Sequence, residues 1–480
     1  MIKGNDMGLG LIVRKEILDN LLNQRFAAAC IVSVLLILSS MIVLTSSYTD
    51  EWRDYQSRTA AQEDFIEHYG HWNRMQWMAR QSHMPLHFQA LVLGIDREPE
   101  QQNFVSNPVS ALFSRLDFVA IVTVIMSLMA ILFSYDSISG EREAGLLKQM
   151  LSMGAGRRSI LFGKILGGII SLLVPFTIGV LSGILYLSVR SGLQLRPADY
   201  GVFLVLLAGS FCYVAAFLTL GILVSARSHT SAQALLKTLF AWVVLVLFLP
   251  NVSPFLAARL YRIPSKAKID QELTWITSDE RDQIVRQRGQ EILRSQYPDL
   301  VSLSSLNRNE LAARVEADPA LKERYAHYTN AYDKMIGDVN REQREKGAKI
   351  YDEFEAQSKY QERLATWIAS LSPLADFVFL ATDITETGIH GDDHWLEEAR
   401  QYNQKIGAFA QARYEREKAK NPAFDSNDYL DMRDRPKFTY HPEALSDRMV
   451  RVLPQFSILI LFNLLFVTVA QLSFSTYDVR

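Results

Sequence analysis

Four of the nine histidines stand near one another, as His68, His71, His83 and His87. Within each pair the spacing is three or four residues, so each pair could share one face of a helix. Neutral imidazoles placed that way can bind zinc or copper. Trp72, Met75, Trp77, Met78 and Phe88 are interleaved with them. That favours the plainer reading, a segment packed on an outer domain or on lipid headgroups, and no metal site is assigned. His390 and His394, flanking Asp392 and Asp393, make a weaker case. A different group is Glu141, Arg142 and Glu143, just after Ser139. A short helix capped by Ser139 would hold Glu141 and Glu143 in its first turn, where the helix dipole favours acids. Leu146, Leu147, Met150 and Leu151 would form an apolar face behind them.

The absences narrow the chemistry. The string nearest to a Walker A loop, Gly156 to Lys164, has the wrong spacing and ends without the Ser or Thr needed at magnesium. No HExxH motif and no Gly-x-Ser-x-Gly elbow occurs. The apolar blocks also lack a central Asp, Glu, Lys, Arg or His, the groups that ion-coupled carriers place at mid-membrane. Asp117 and Asp136 flank only the ends of one block. The chain is therefore expected to carry no cofactor and no catalytic residue, and to draw any energy from a partner.

These residues need a frame. The 480 residues are 49% hydrophobic with a net charge of −2, which gives no argument for nucleic acid. Charge is segregated: long runs are nearly free of it, while Arg259 to Val450 is dense in it. The apolar runs are long enough to cross a bilayer, which takes about 20 residues. Spans are expected at 26–47, 118–135, 165–189, 200–226, 238–258 and 452–474. Pro250 and Pro254 should break or kink the fifth. The run from Phe26 exceeds a signal h-region and closes on no cleavage site, so it reads as a retained helix. Cys30 and Cys212 lie inside apolar runs and are not expected to form a disulfide.

Basic residues in short loops set the orientation. Lys3, Arg14, Lys15 and Arg25, then Arg142, Lys148, Arg157, Arg158 and Lys164, then Arg227 and Lys237 fall on one side, taken as the cytoplasm. Arg190 and Arg196 on the other side moderate the bias. Residues 48–115 and 259–450 would then lie outside, and residues 1–25, 136–164 and 475–480 inside. Val13, Ile17, Leu18 and Leu21 share one face opposite Glu16, Asp19, Asn20 and Asn23, which suggests an interfacial helix before the first span. The outer domain reads as mainly helical. Ser278 is the expected N-cap of one helix, and long helices are expected over Ala312–Trp367 and His394–Lys420. The segment from Asn421 to Pro442 reads as a loop. The fold class is an all-α polytopic membrane protein with six transmembrane helices and a helical extracytoplasmic domain.

The stretch Phe133-Ser-Tyr-Asp-Ser-Ile-Ser-Gly-Glu-Arg-Glu-Ala-Gly-Leu-Leu-Lys-Gln-Met-Leu-Ser152 continues as Gly154-Ala-Gly-Arg-Arg-Ser-Ile-Leu-Phe-Gly-Lys164. This resembles permease subunits of the type-2 ABC transporter family. The match is carried by Glu141, Arg142, Glu143, Gly145, Leu146, Leu147, Leu151, Ser152, Arg157, Arg158 and Lys164. The large insertion before the last span, with Leu371-Ser-Pro373 near its end, resembles a subset with an extended extracytoplasmic region. The resemblance implies that the first seven of those residues form a coupling element seated in a cytoplasmic ATPase. ATP and magnesium would bind that partner, and two identical or related permeases would pair in the inner membrane of a bacterium. It also implies export of a substrate, or motion passed to an extracytoplasmic partner. The bland alternative makes Glu141, Arg142 and Glu143 solvated turn residues. Gly163, Gly167, Gly168, Gly179 and Gly183 allow close helix contacts, within one chain or between two. Pro175 should kink the third span, and Asn463 and Gln471 could hydrogen-bond across an interface. Two rival readings are a membrane-anchored sensor or scaffold and an intramembrane enzyme. The first leaves the coupling-like stretch without a task, and the second lacks polar groups in the spans.

Overall fold

The computed structural model describes residues 6–71, 81–94, 116–189, 196–305, 308–421, 424 and 428–475. Trp72, Met75, Trp77 and Met78 lie outside the described residues, as do Lys3, Arg115, Arg190 and 476–480. Among the described residues, six helices are long and apolar enough to cross a membrane. Helix α1 is Asp6–Leu21 and α2, the first span, is Gln24–Tyr69. The second span is Phe118–Ala120, a π-helical turn Ile121–Met126 and α3, Ser127–Ser134. Two short helices follow, α4 (Ser139–Glu143) and α5 (Leu146–Ser152). The third and fourth spans are α6 (Arg157–Val189) and α7 (Pro197–Arg227). The fifth is α8 (Ser231–Trp242), a π turn Val243–Phe248 and α9 (Leu249–Leu260).

Three local features go beyond the expectations. The helix that contains the expected span 26–47 runs on to Tyr69, about 70 Å in all at 1.5 Å per residue. Its second half is polar but holds no Gly or Pro before Gly70, so nothing stops the helix. The fifth span is not broken at its prolines: the π turn just before Pro250 takes up the misfit of the ring with the preceding turn. The charged region 259–450 does not hold together as one domain. Asn251–Ile368 forms one compact unit, and Ala369–Arg480 joins the unit that contains Met1–Pro250.

The larger unit is a bundle whose helices touch at glycines. A Cβ at Gly168 would lie 2.9 Å from Leu218 of α7, and one at Gly179 2.8 Å from Ile37 of α2. Asn463 donates to the Cys212 carbonyl of α7 at 2.8 Å. The glycine row and Asn463 are thus used within this chain.

Beyond the arm come α14 (Pro373–Ile384), α15 (Ile389–Lys420) and the last span, α16 (Leu445–Ser475), once α10 to α13 below are counted. α14 begins at the middle of the bundle. Its N-cap Ser372 donates to the carbonyl of Leu245, halfway along the fifth span. Phe377 stacks on Tyr213, halfway along α7, with ring centres 5.3 Å apart. Its far end lies beside the start of α16, where Arg448 donates to the Ile384 carbonyl at 2.9 Å. The twelve residues of α14 rise about 18 Å, roughly half of a bilayer core. α15 packs on the extended part of α2 through Ile66, Tyr402, Ile406, Ala410, Leu430 and Met432.

The smaller unit is an antiparallel helical arm. One limb is α10 (Lys266–Trp275), a π turn Ile276–Glu280 and α11 (Arg281–Gln296). The other is α13 (Pro319–Ala369), reached through α12 (Arg308–Ala317). Arg288 holds Glu342 with two bonds of 2.8 and 3.1 Å, and Lys346 reaches Glu280 at 2.7 Å. Ser278 is no N-cap: the helix has already begun, and its hydroxyl donates back to Thr274 at 2.6 Å. The cap is Ser265, which accepts from the Lys268 amide.

A charged cluster closes the outer end of α14. Glu386 is buried with φ +59°, an unfavourable conformation for a residue with a side chain. It accepts from the Glu443 amide at 2.6 Å and faces Arg448 at 3.5 Å. Arg451 holds Glu443 with two bonds, and His390 pairs with Asp383 at 3.0 Å. The hydrogen bond from the His390 ring to Asp383 outweighs desolvation and raises the His390 pKa above 6.5. A raised imidazole pKa means stability present below 6.5 and lost as pH rises through the folded value. Because His390 is half exposed, the effect is at most about 1 kcal/mol. His390→Gln should therefore flatten the fall of the apparent Tm between about pH 6 and pH 9, the imidazole range. Equal slopes in parent and variant would refute the pair's role.

Candidate functional site

The stretch singled out by sequence lies between the second and third spans. It forms two short helices, α4 and α5, parted by Gly145 at φ +73°. That positive φ favours glycine and fixes the bend.

Ser139 does not cap α4. It lies inside the helix, and its hydroxyl bonds the Tyr135 carbonyl and the Ser225 hydroxyl, each at 3.1 Å. The orphan amides of the α4 start, Ile138 and Ser139, donate to Ser225 of α7 at 3.0 Å. Arg142 then donates to the carbonyls of Ser228 and Ala226 at 2.8 and 3.1 Å, which satisfies the C-terminus of α7. Glu143 accepts from the hydroxyl and amide of Ser231, at the start of α8. α4 thus locks the end of the fourth span to the start of the fifth.

Glu141 faces the other way. Its two oxygens meet Lys15 of α1 and Lys164 of α6, both at 2.9 Å. Lys164 also reaches Glu16 at 2.9 Å, and its own side chain is only 2% exposed. Burial opposes the charge on Lys15, but the hydrogen bond and charge of Glu141, with Glu16 and Asp19, raise its pKa. Glu16, Asp19, Asn20, Asp136, Glu141 and Lys164 line a polar recess of about 250 Å³. α1 lies on α6 at two glycines: a Cβ at Gly163 would meet Ile12 at 2.5 Å and one at Gly167 would meet Glu16 at 2.6 Å. The polar residues Glu16 and Asn20 face the bundle, while Leu11, Leu18, Leu21 and Leu22 are exposed.

The expected apolar face of α5 is divided. Leu147 is buried, with Met150 and Leu151 packed on the main core. Leu146 and Met153 are exposed, at 45% and 72%, together with Lys148 and Gln149. Leu146, Gln149 and Met153 share one helical face by spacing. So the acids singled out by sequence are engaged inside the chain, and the free surface is the outer side of α5. Sequence reasoning missed Lys15, Glu16, Ser225 and Ser231; the polar residues in the midst of α1 were the available signal.

The histidines do not converge. His68 bonds the Asp64 carbonyl, His71 pairs by backbone with Tyr429, His83 stacks on Trp395 and His87 faces Tyr48. His394 bonds the His441 carbonyl, while His390 holds Asp383. Among the described residues no group of three or more His, Cys, Asp or Glu could hold a metal ion.

Six long apolar helices, with charged short helices tying the third to the fourth and fifth, define an all-α polytopic membrane protein. Residues 11–388 match the family described as ABC-2 family transporter protein, and the chain belongs to that family. It is an ABC transporter membrane subunit. Over 128 residues it is 30% identical to the probable ABC transporter permease protein NosY of Pseudomonas aeruginosa. That stretch covers 27% of this chain and 46% of the relative, so the chain spans about half the relative's length.

Lys164→Met should leave Glu16, largely buried, without its cation and Glu141 with Lys15 alone. The expected loss is about 3–5 kcal/mol in a denaturant or thermal midpoint. A loss below about 1 kcal/mol, the worth of a surface pair, would show that this network does not hold α1 in place.

Proposed function

We propose that the chain is the permease subunit of an ABC transporter driven by a separate cytoplasmic ATPase. The observation that carries this is the outer side of α5. It is a small apolar and basic surface, Leu146, Met153 and Lys148, on a helix fixed to four membrane-unit elements through α4, Lys164 and Lys15. An exposed apolar pair on so rigid a base suits a docking contact. In this reading α4 and α5 face the cytoplasm with both termini, and residues 259–450 face outward. Glu141, Arg142 and Glu143 pass force to the spans rather than touch the ATPase. ATP and magnesium bind the partner. Two copies, or this chain and a related permease, pair in a bacterial inner membrane. ATPase closure displaces α5 and shifts the bundle between states. The outcome is export of a substrate or motion delivered to an extracytoplasmic partner.

The test is co-expression and co-purification with an ABC ATPase subunit from the same organism. Leu146→Asp with Met153→Asp should abolish association while the apparent Tm of the permease stays within about 0.5 kcal/mol equivalents of the parent, as for surface changes. An ATPase that still binds the double variant would remove α5 as the docking helix. An intact permease that recruits no ATPase would sink the transporter reading.

A further inference from the structure

α14 places one carboxyl group where nothing balances it. Asp376 lies in the second turn after the Ser372 cap, close to the mid-bundle end of the helix. The residue is fully enclosed, at 0% exposure, and neither side-chain oxygen makes a hydrogen bond. The Ser370 hydroxyl is, among the described residues, the one polar side chain that acts on it, and its favourable effect on the charged form is smaller than the cost of burial.

Among the described residues, the elements packed on α14 offer no counter-charge. α7 presents Tyr213, whose hydroxyl is committed to the Thr123 carbonyl at 2.9 Å. α16 presents Asn463, committed to the Cys212 and Leu459 carbonyls. The Leu245 carbonyl of the fifth span is taken by Ser372, and the Trp242 ring nitrogen by Ser127. Charges elsewhere on α14 and α16 are engaged at the outer end: Asp383 with His390, Arg448 with Glu386, Arg451 with Glu443. An ionised carboxylate buried without a donor costs several kcal/mol even after relaxation. The helix N-terminus returns at most about 2 kcal/mol. The neutral acid avoids most of that cost.

We propose that Asp376 is a proton-binding site within the membrane unit, and that α14 is seated in the bundle only while this carboxyl holds its proton. Loss of the proton leaves a carboxylate and a free proton. The carboxylate then needs water or a cation, so ionisation favours an unseated α14. The site stands apart from the coupling face and does not depend on any ATPase partner.

The experiment uses the full chain in lipid nanodiscs, alone. Infrared difference spectra across a pH titration should show a protonated-carboxyl band near neutral pH that Asp376→Asn lacks. The apparent Tm of the parent should fall more steeply with rising pH than that of Asp376→Asn, which should be the more stable above neutrality. This is the sign for a carboxyl that binds its proton more tightly folded than unfolded. Asn mimics the neutral acid in shape, so a variant that fails to fold would overturn the proposal. So would an unchanged infrared band, or equal pH slopes. A rise in Tm with sodium at alkaline pH, lost in the variant, would replace the proton with a metal cation and overturn it as well.

Discussion

The ammonium of Lys164 is the constraint on which the packing of α1, α4 and α6 depends. It is almost wholly buried, so it must be compensated, and it takes both Glu16 and Glu141 at 2.9 Å. A buried cation with two carboxylates is not a generous source of stability, because desolvation consumes most of the Coulomb gain. Its value is specificity. No other register of α1 on α6 would bring Glu16 to Lys164 while Ile12 and Glu16 lie over Gly163 and Gly167. The same ammonium fixes Glu141, and through α4 it fixes the ends of the fourth and fifth spans. α1, α6, α7 and α8, distant in sequence, are thereby joined through α4.

The spans were legible because a bilayer imposes a length and an absence of charge that no tertiary contact can override. The stretch from Phe133 to Lys164 was legible as a pattern, and Lys164 was among its marked residues. What each residue does there was not legible. Glu141 and Glu143 look like exposed acids at a helix start, but their partners are supplied by Lys15 and Ser231, far away in the chain. Ser139 and Ser278 carry the local signature of a cap, yet neither caps, because Ser225 and Ser265 hold the positions that do. Capping signals describe what a hydroxyl can do and not which helix end reaches it first. α14 escaped notice for a related reason. It is half the length of a span and carries Asp376, Asp383 and a buried turn, so its composition reads as part of the charged region around it.

The two ends of the bundle solve the same problem in different ways. At the α1 end, helix termini are satisfied by side chains of neighbouring elements: Arg142 on the α7 carbonyls, Ser225 on the α4 amides, Glu143 on Ser231. At the other end, a strained Glu386 and the Arg448, Arg451 and Glu443 charges hold the turn after α14 against the base of the last span. Strain of this kind persists only where the surroundings over-determine it. Gly391 permits the closest approach there, since a Cβ on it would lie 2.0 Å from the Glu386 carbonyl.

α7 joins these two ends. Its C-terminus is held by Arg142, and its middle seats α14 through Tyr213 and through Gly209, which lies against Leu380. A helix of 31 residues transmits displacement along about 46 Å without needing any side-chain relay. Contact alone does not make a coupling path; some element must have two arrangements for both ends to bias. α14 has the physical attributes of that element. Its twelve residues rise about 18 Å, roughly half the thickness of a bilayer core. Pro373 at its first position has no amide to leave unsatisfied. Its anchors at the deep end are a single hydroxyl on the Leu245 carbonyl and one aromatic stack, each worth about 1 kcal/mol. Bonds of that size can be broken and remade without stranding a charge, whereas the Lys164 network cannot. The bundle therefore combines one end held by buried charge with one half-helix seated mainly by apolar packing through Phe377, Leu380, Ala381 and Ile384.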